Sequence, residues 1–288
     1  MPNNQIIANL LLFMKKFLRS FFLLLIILPP FLTPSHADDS PQKSLPLPGE
    51  VFLIEKHVAF LIPPAVKPSS GPIPWVWYAP TLPNLPGPEE KWMFERWTKA
   101  GLGIAGIDVG ESYGSPDGQR LFSALFNHLT QNSQFSPKPI LLGRSRGGLM
   151  TLAWAAANPQ KVGGFAGIYP VCNLVSFPGL TKACSAYHLT ASELAAQIAD
   201  YNPIDRLSPL AKAGVPLFII HGDNDKVVPL SANSGELSQR YETLGGKIHL
   251  IVPRGQGHNM WEGFFQSPEL LEFVISTAKS TAVPQSSP

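Results

Sequence analysis

The stretch Pro139-Ile-Leu-Leu-Gly-Arg-Ser-Arg-Gly-Gly-Leu-Met150 decides how this chain of 288 residues is read. An apolar run, Ile140 to Leu142, is cut by Gly143 and resumes after Gly147-Gly148 as Leu149 to Ala157, which is rich in strong helix formers. That pattern predicts a strand, a sharp turn and a helix, with Ser145 on the turn. Gly143 to Gly147 fill the pattern G-x-S-x-G, whose flanking residues must be small because the turn leaves no room for side chains. Such a turn lifts a serine hydroxyl off the end of a sheet. It also points the N–H groups of a helix N-terminus at negative charge developing beside that hydroxyl.

Alone the pattern is weak, and its force comes from what lies downstream. Leu217-Phe-Ile-Ile220 is a second buried-strand run and delivers His221-Gly-Asp-Asn-Asp225-Lys-Val-Val-Pro229. A third run, Ile248-His-Leu-Ile-Val252, delivers Pro253-Arg-Gly-Gln-Gly-His258-Asn-Met-Trp261. A serine, an acid and a histidine thus each follow a strand, in that order. In these three motifs the chain resembles the α/β-hydrolase family, whose strand ends carry nucleophile, acid and base in this order. The resemblance runs from Val51 to Ala278 and is strongest to the secreted esterase, dienelactone-hydrolase and prolyl-oligopeptidase-like branch. It implies an α/β-hydrolase fold, a mostly parallel twisted sheet with helices on both faces and a small lid insert. The alternation of strand and helix runs along the chain points to the same α/β architecture.

A serine hydroxyl at its ordinary pKa is a poor nucleophile and needs a base within hydrogen-bond reach, itself oriented by a third group. His258 is the expected base. Of seven histidines it alone sits in Gly-Gln-Gly-His just past a strand, whereas His221 is expected to hydrogen-bond within its own turn. Asp225 is the expected acceptor for His258, with Asp223 as its rival. For the oxyanion, the N–H of Arg146 is one expected donor. The resemblance places the other in the loop Pro80-Thr-Leu-Pro-Asn-Leu-Pro-Gly-Pro88, which follows the strand Trp75–Ala79. Pro80 has no N–H, so Thr81 or Leu82 remain, and Thr81 is taken. The family's usual His-Gly pair is missing from this loop.

Arg144 and Arg146, flanking Ser145, are the least expected residues of the motif. They either bind a carboxylate on the substrate or pair with Glu111 or Asp108 and hold loops together. A serine followed by arginine in this turn is also similar to glucuronoyl esterases, although the rest of their motif is missing. Glu111 and Tyr113, in the glycine-bearing loop Asp108–Gly114, are assigned with Arg144 and Trp261 to substrate binding. Trp261, Tyr113, Trp75 and Trp77 are read as candidates for an aromatic floor on which a sugar stacks.

At the amino end, Lys15, Lys16 and Arg19 precede Phe21-Phe-Leu-Leu-Leu-Ile-Ile-Leu28, then two prolines and Ser35-His36-Ala37 before Asp38-Asp39. This layout predicts a signal peptide over residues 1–37, cut after Ala37, and a periplasmic or secreted protein without a stable membrane anchor. The apolar run is short for a membrane span and broken by two prolines. Met14 is an alternative start to Met1. Removing residues 1–37 leaves 19 Lys and Arg against 20 Asp and Glu, so no basic surface and no nucleic-acid partner are expected.

Residues 38–50 read as a loose linker, 51–280 as the hydrolase domain and 281–288 as a loose tail. Within the domain, 170–212 reads as a lid insert carrying the only two cysteines, Cys172 and Cys184. In an exported protein so close a pair is expected to be bridged. A zinc site would want more ligands than His188 alone, so no metal is expected, and the chemistry requires no cofactor. The expected function is a secreted serine hydrolase acting on small-molecule or carbohydrate esters. The rivals are a serine peptidase of the prolyl-oligopeptidase type, for whose gating domain the chain has no room, and a non-catalytic binding protein on the same fold. Oligomeric state is not legible.

Overall fold

The described chain forms one eight-stranded sheet, in which the strand runs named above are joined by four more: β1 (Glu50–Ile54), β2 (His57–Ile62), β3 (Trp75–Tyr78), β4 (Gly103–Ile107), β5 (Ile140–Arg144), β6 (Gly164–Ile168), β7 (Leu217–Ile220) and β8 (Ile248–Ile251). The computed structural model describes residues 41–132 and 134–282. The expected signal peptide, residues 38–40 of the linker, the choice between Met1 and Met14, and residues 283–288 of the tail lie outside the described residues. The spatial order is β1-β2-β4-β3-β5-β6-β7-β8. From β4 onward all neighbours are parallel, and β1–β2 is an antiparallel hairpin whose second strand runs antiparallel to β4. The hairpin turns on Glu55 and Lys56, with φ of 49° and 69°, the left-handed pair that a two-residue connection requires to match strand twist.

Four longer helices connect the strands, α1 (Lys91–Lys99), α2 (Pro116–Thr130), α3 (Gly147–Ala157) and α4 (Ser234–Thr243), and α5 (Pro268–Ala282) follows the last strand. The two-residue period of the strands divides the core between them. Trp75 and Trp77 face one cluster with Phe122 and Phe126 of α2, Leu152 and Trp154 of α3, and Leu237 and Tyr241 of α4. Val76 and Tyr78 face the other, with Met93, Phe94 and Trp97 of α1 and Leu270 and Val274 of α5. A strand buried on both faces reads as a continuous apolar run, which is why Trp-Val-Trp-Tyr carries no polar position.

Three expectations change here. Trp75 and Trp77 are fully buried, Trp77 lying 4.7 Å from Trp154 between ring centroids, and so cannot form a sugar-binding floor. The described part of the linker is tied down: the Lys43 side chain is 1% exposed and donates to both carboxylate oxygens of Asp108, while Leu45 and Leu47 pack on the core. Asp108 is therefore engaged by Lys43 rather than by either arginine beside Ser145. At the other end, α5 continues to Ala282, so residues 281 and 282 of the expected tail are helical.

Residues 170–212 form short helical segments, among them Leu180–Ala183, Ala191–Ala196, Ile198–Tyr201 and Ser208–Lys212. The helical run that starts after Thr190 breaks at Gln197. Leu174, Ala183, Tyr187 and Leu194 of this insert close a third apolar cluster with Leu149 of α3, Tyr113 and Val228. No disulfide ties it: Cys172 and Cys184 are both free. Buried amides hold the insert's start instead. Cys172 and Asn173 donate their N–H groups to Asn233 Oδ1 and Leu174 donates to Asn202 Oδ1, while Ile204 N–H donates to the Cys172 carbonyl. Burial pushes the Cys172 thiol pKa up, so it remains a protonated, inert group.

Candidate active site

Ser145 sits between β5 and α3 with φ of 51°, a left-handed conformation that a side-chain-bearing residue adopts only under constraint. The constraint is visible. Ser145 N–H donates to the Ile168 carbonyl at the end of β6, and the Ser145 carbonyl accepts from Gly148 and Val171. Gly148 has no alternative: a β-carbon there would lie 2.5 Å from the Val171 carbonyl oxygen, a contact no side chain survives.

The parallel strands bring three loops to one end of the sheet. Ser145 Oγ lies 2.9 Å from His258 Nε2, and His258 Nδ1 lies 2.7 Å from Asp225 Oδ2. A carboxylate only accepts, so Nδ1 carries the hydrogen and Nε2 presents its lone pair to the serine hydroxyl. The Asp225 side chain is fully buried. Its Oδ1 accepts from Val227 and Val228 N–H, which fixes the carboxylate plane toward the imidazole. Asp223 is elsewhere, accepting from Gly255 N–H at 2.7 Å and holding the turn before His258. The backbone N–H groups of Arg146 and Thr81 find no acceptor among the described residues. Thr81 lies against the first turn of α3, its Cγ2 3.7 Å from where a β-carbon on Gly147 would sit. Among the described residues no three His, Cys, Asp or Glu side chains converge as a metal site.

His221 is buried beneath the acid loop. Its Nε2 lies 2.8 Å from the Val228 carbonyl and therefore donates, which leaves Nδ1 to accept from Ser234 Oγ at 2.7 Å. Burial depresses its pKa below the ordinary 6.5, and the nearby His258 adds to that, against the opposing pull of the Val228 carbonyl and Asp225. The folded chain thus holds His221 neutral while the unfolded chain protonates it below pH of about 6.5. Its contribution to stability is present above that pH and is lost as pH falls, by at most about 1.4 kcal/mol per pH unit. Urea midpoints at pH 7.5 and 5.5 should differ in that direction, and the His221→Asn variant should show a weaker dependence. Equal slopes in the two proteins would remove His221 as the cause.

The arginines flanking Ser145 both have carboxylate partners. Arg146 pairs with Glu111 at the surface, the side chains being 21% and 42% exposed. Arg144 is buried and pairs at 2.5 Å with Glu90, a residue that no motif of the chain singles out. Burial alone would lower the Arg144 pKa, but Glu90, Tyr169 and Tyr78 raise it, and the guanidinium stays charged. Tyr113, assigned to substrate binding, is buried in the insert cluster with φ of 47°, and its carbonyl accepts from Tyr187 Oη. Trp261 is 40% exposed and rests edge-on against Phe264. Tyr169, unremarked in the sequence, follows β6 and places its ring 4.4 Å from that of His258.

A model of the prolyl oligopeptidase family matches residues 122–276, a span that contains Ser145, Asp225 and His258. Among solved structures, dipeptidyl peptidase 4 of Porphyromonas gingivalis is similar over 80% of this chain and 35% of its own, with a TM-score of 0.64 and 14% identity. Est1E from Butyrivibrio proteoclasticus is similar over 80% of this chain and 99% of its own, with a TM-score of 0.61 and 17% identity. An S-formylglutathione hydrolase from Agrobacterium tumefaciens is similar over 81% and 93%, with a TM-score of 0.61 and 16% identity. The chain thus spans about a third of the length of the peptidase and nearly all of the other two. No curated protein matched. With the family model covering more than half of the sequence, the chain belongs to the prolyl oligopeptidase family of α/β-hydrolase serine hydrolases.

Proposed function

We propose that this protein hydrolyses carboxylic esters through an acyl-enzyme, with Ser145 as nucleophile, His258 as general base and then acid, and Asp225 orienting His258. The observation that carries the reading is the bonded chain from Ser145 Oγ through the imidazole to the buried Asp225 carboxylate. As Oγ attacks the carbonyl carbon its proton passes to Nε2. The oxyanion forms toward the N–H groups of Arg146 and Thr81, and collapse expels the alcohol, which takes the proton from Nε2. Water then enters by the same route, and the acid leaves. Leu82, Val227, Met260 and Trp261 are exposed and each lies within three residues of Thr81, Asp225 or His258. They support an uncharged, apolar-flanked ester over an acidic one, since both arginines beside Ser145 already have carboxylate partners. For carbohydrate esters the support is narrower, Trp261 being the one exposed ring of the four considered.

The second reading, a serine peptidase, draws on the family model and on the likeness to dipeptidyl peptidase 4. Fluorophosphonate labelling followed by a panel of aryl acetates, acetylated xylan, glucuronate methyl esters and aminoacyl arylamides separates the readings. Ester turnover well above amide turnover is expected. Faster amide cleavage would transfer the protein to the peptidases, and absence of labelling would make it a binding protein. We also propose export to the periplasm or the medium, on the basic and apolar segments before Ala37. Amino-terminal sequencing of the exported protein should begin at Asp38, and an uncut cytoplasmic chain would refute it.

A further inference from the structure

Arg144 ends the strand that delivers the nucleophile, and its guanidinium touches both of the other loops the chemistry needs. Through Nη1 it donates to Glu90 Oε1, the carboxylate that closes the Pro80–Pro88 loop by accepting Gly87 N–H on its other oxygen at 2.8 Å. Tyr78, the last residue of β3, donates its hydroxyl to the same Oε1 at 3.0 Å. Burial, and after it the Glu90 charge, keep the Tyr78 phenol protonated, so it can only be the donor here. Through Nη2 Arg144 donates to Met260 Sδ at 3.0 Å, two residues beyond His258. Its guanidinium also lies 5.1 Å from the centre of the Phe265 ring. Met260 Sδ is in turn 3.8 Å from the hydroxyl of Tyr169, whose ring lies against His258.

We propose that Arg144 is a positioning residue that locks the oxyanion loop and the histidine loop to the nucleophile strand, so that Thr81 N–H, His258 Nε2 and Ser145 Oγ keep one mutual geometry. The inference rests on the serine-hydrolase reading above. A planar fork suits this task because its two nitrogens address two loops at fixed angles, which a lysine's point charge cannot do. A displacement on the order of 1 Å in such a constellation costs about a hundredfold in rate. The rate effect should therefore appear without a matching loss of substrate binding.

Removing one member of a buried pair strands a charge, so the test removes both charges. In Arg144→Met/Glu90→Gln the glutamine carbonyl still accepts from Gly87 and its NH₂ can donate to the Tyr78 hydroxyl oxygen, so the ties lost are those of Arg144 to Glu90 and to Met260. With an aryl acetate as substrate and active sites counted by burst titration, kcat per active site should fall about a hundredfold at nearly unchanged KM. Fluorophosphonate labelling should slow in proportion. Arg144→Lys, which keeps the charge opposite Glu90, should fail to restore kcat. A folded double variant with wild-type kcat overturns the proposal. If the double variant does not fold, Arg144→Lys decides: wild-type kcat in that variant overturns it equally. A wild-type protein that the probe does not label removes the hydrolase reading itself, whereas a labelled wild type with unimpaired variants removes only this inference.

Discussion

Ser145→Ala and His258→Ala are each expected to lower kcat by about 10⁴-fold or more, because triad members act as a unit and the loss of one forfeits nearly all that the set contributes. Neither change should unfold the chain. Among the described residues Ser145 Oγ has His258 as its one side-chain partner, and the turn is held by backbone bonds to Ile168, Gly148 and Val171 that alanine retains. The His258 ring is at the edge of the core, tilted against Tyr169, and its side-chain bonds among the described residues go to Ser145 and Asp225. Circular dichroism and thermal midpoints close to wild type, with ester turnover near background, are the expected results. A folded Ser145→Ala that turns over ester at the normal rate sinks the mechanism.

Asp225→Asn should be nearly as damaging to turnover while sparing the fold. Oδ1 of Asp225 accepts from both Val227 and Val228 N–H, so an asparagine will keep its carbonyl oxygen there and turn its NH₂ toward His258 Nδ1. Two donors then face each other unless the imidazole moves its hydrogen to Nε2, the atom that must receive the serine proton. A loss of about 10⁴-fold in kcat follows from the wrong tautomer. Asp225→Ala is expected to lose activity and stability together, since it leaves two N–H groups without their acceptor at a cost of about 1–3 kcal/mol each. Asp223→Ala should leave kcat within a few-fold of wild type, because that carboxylate meets Gly255 N–H and not the imidazole. Activity retained in Asp225→Asn but lost in Asp223→Ala would reverse the assignment.

Much of this was legible in the sequence where local rules act. The alternation of apolar runs with helix formers announces a parallel sheet, and Gly143, Gly147 and Gly148 announce a turn whose flanking positions leave no room for side chains. The histidine and both candidate acids follow strands whose ends must come together once those strands are parallel neighbours. Where the reading went astray, the deciding contacts were distant in sequence. Trp75 and Trp77 look like ligand-stacking aromatics in isolation, but a strand inside a sheet covered on both faces buries them. Spacing suggested a bridge between Cys172 and Cys184; the fold holds that insert with Asn202 and Asn233 and leaves both thiols free.

The sequence by itself determined the class of fold, the nucleophile turn and the order of serine, acid and histidine, because each depends on residue spacing and backbone freedom within a few positions. Only the tertiary structure placed Asp225 rather than Asp223 against His258, assigned Lys43 to Asp108, and made Arg144, a candidate substrate ligand, the partner of Glu90, 54 positions away, and of Met260, 116 positions away. The physical reason is one of range. A buried charge must find a counter-charge, which any sequence with several acids can satisfy in several ways, and the packing of the loops at the strand ends selects which one it meets.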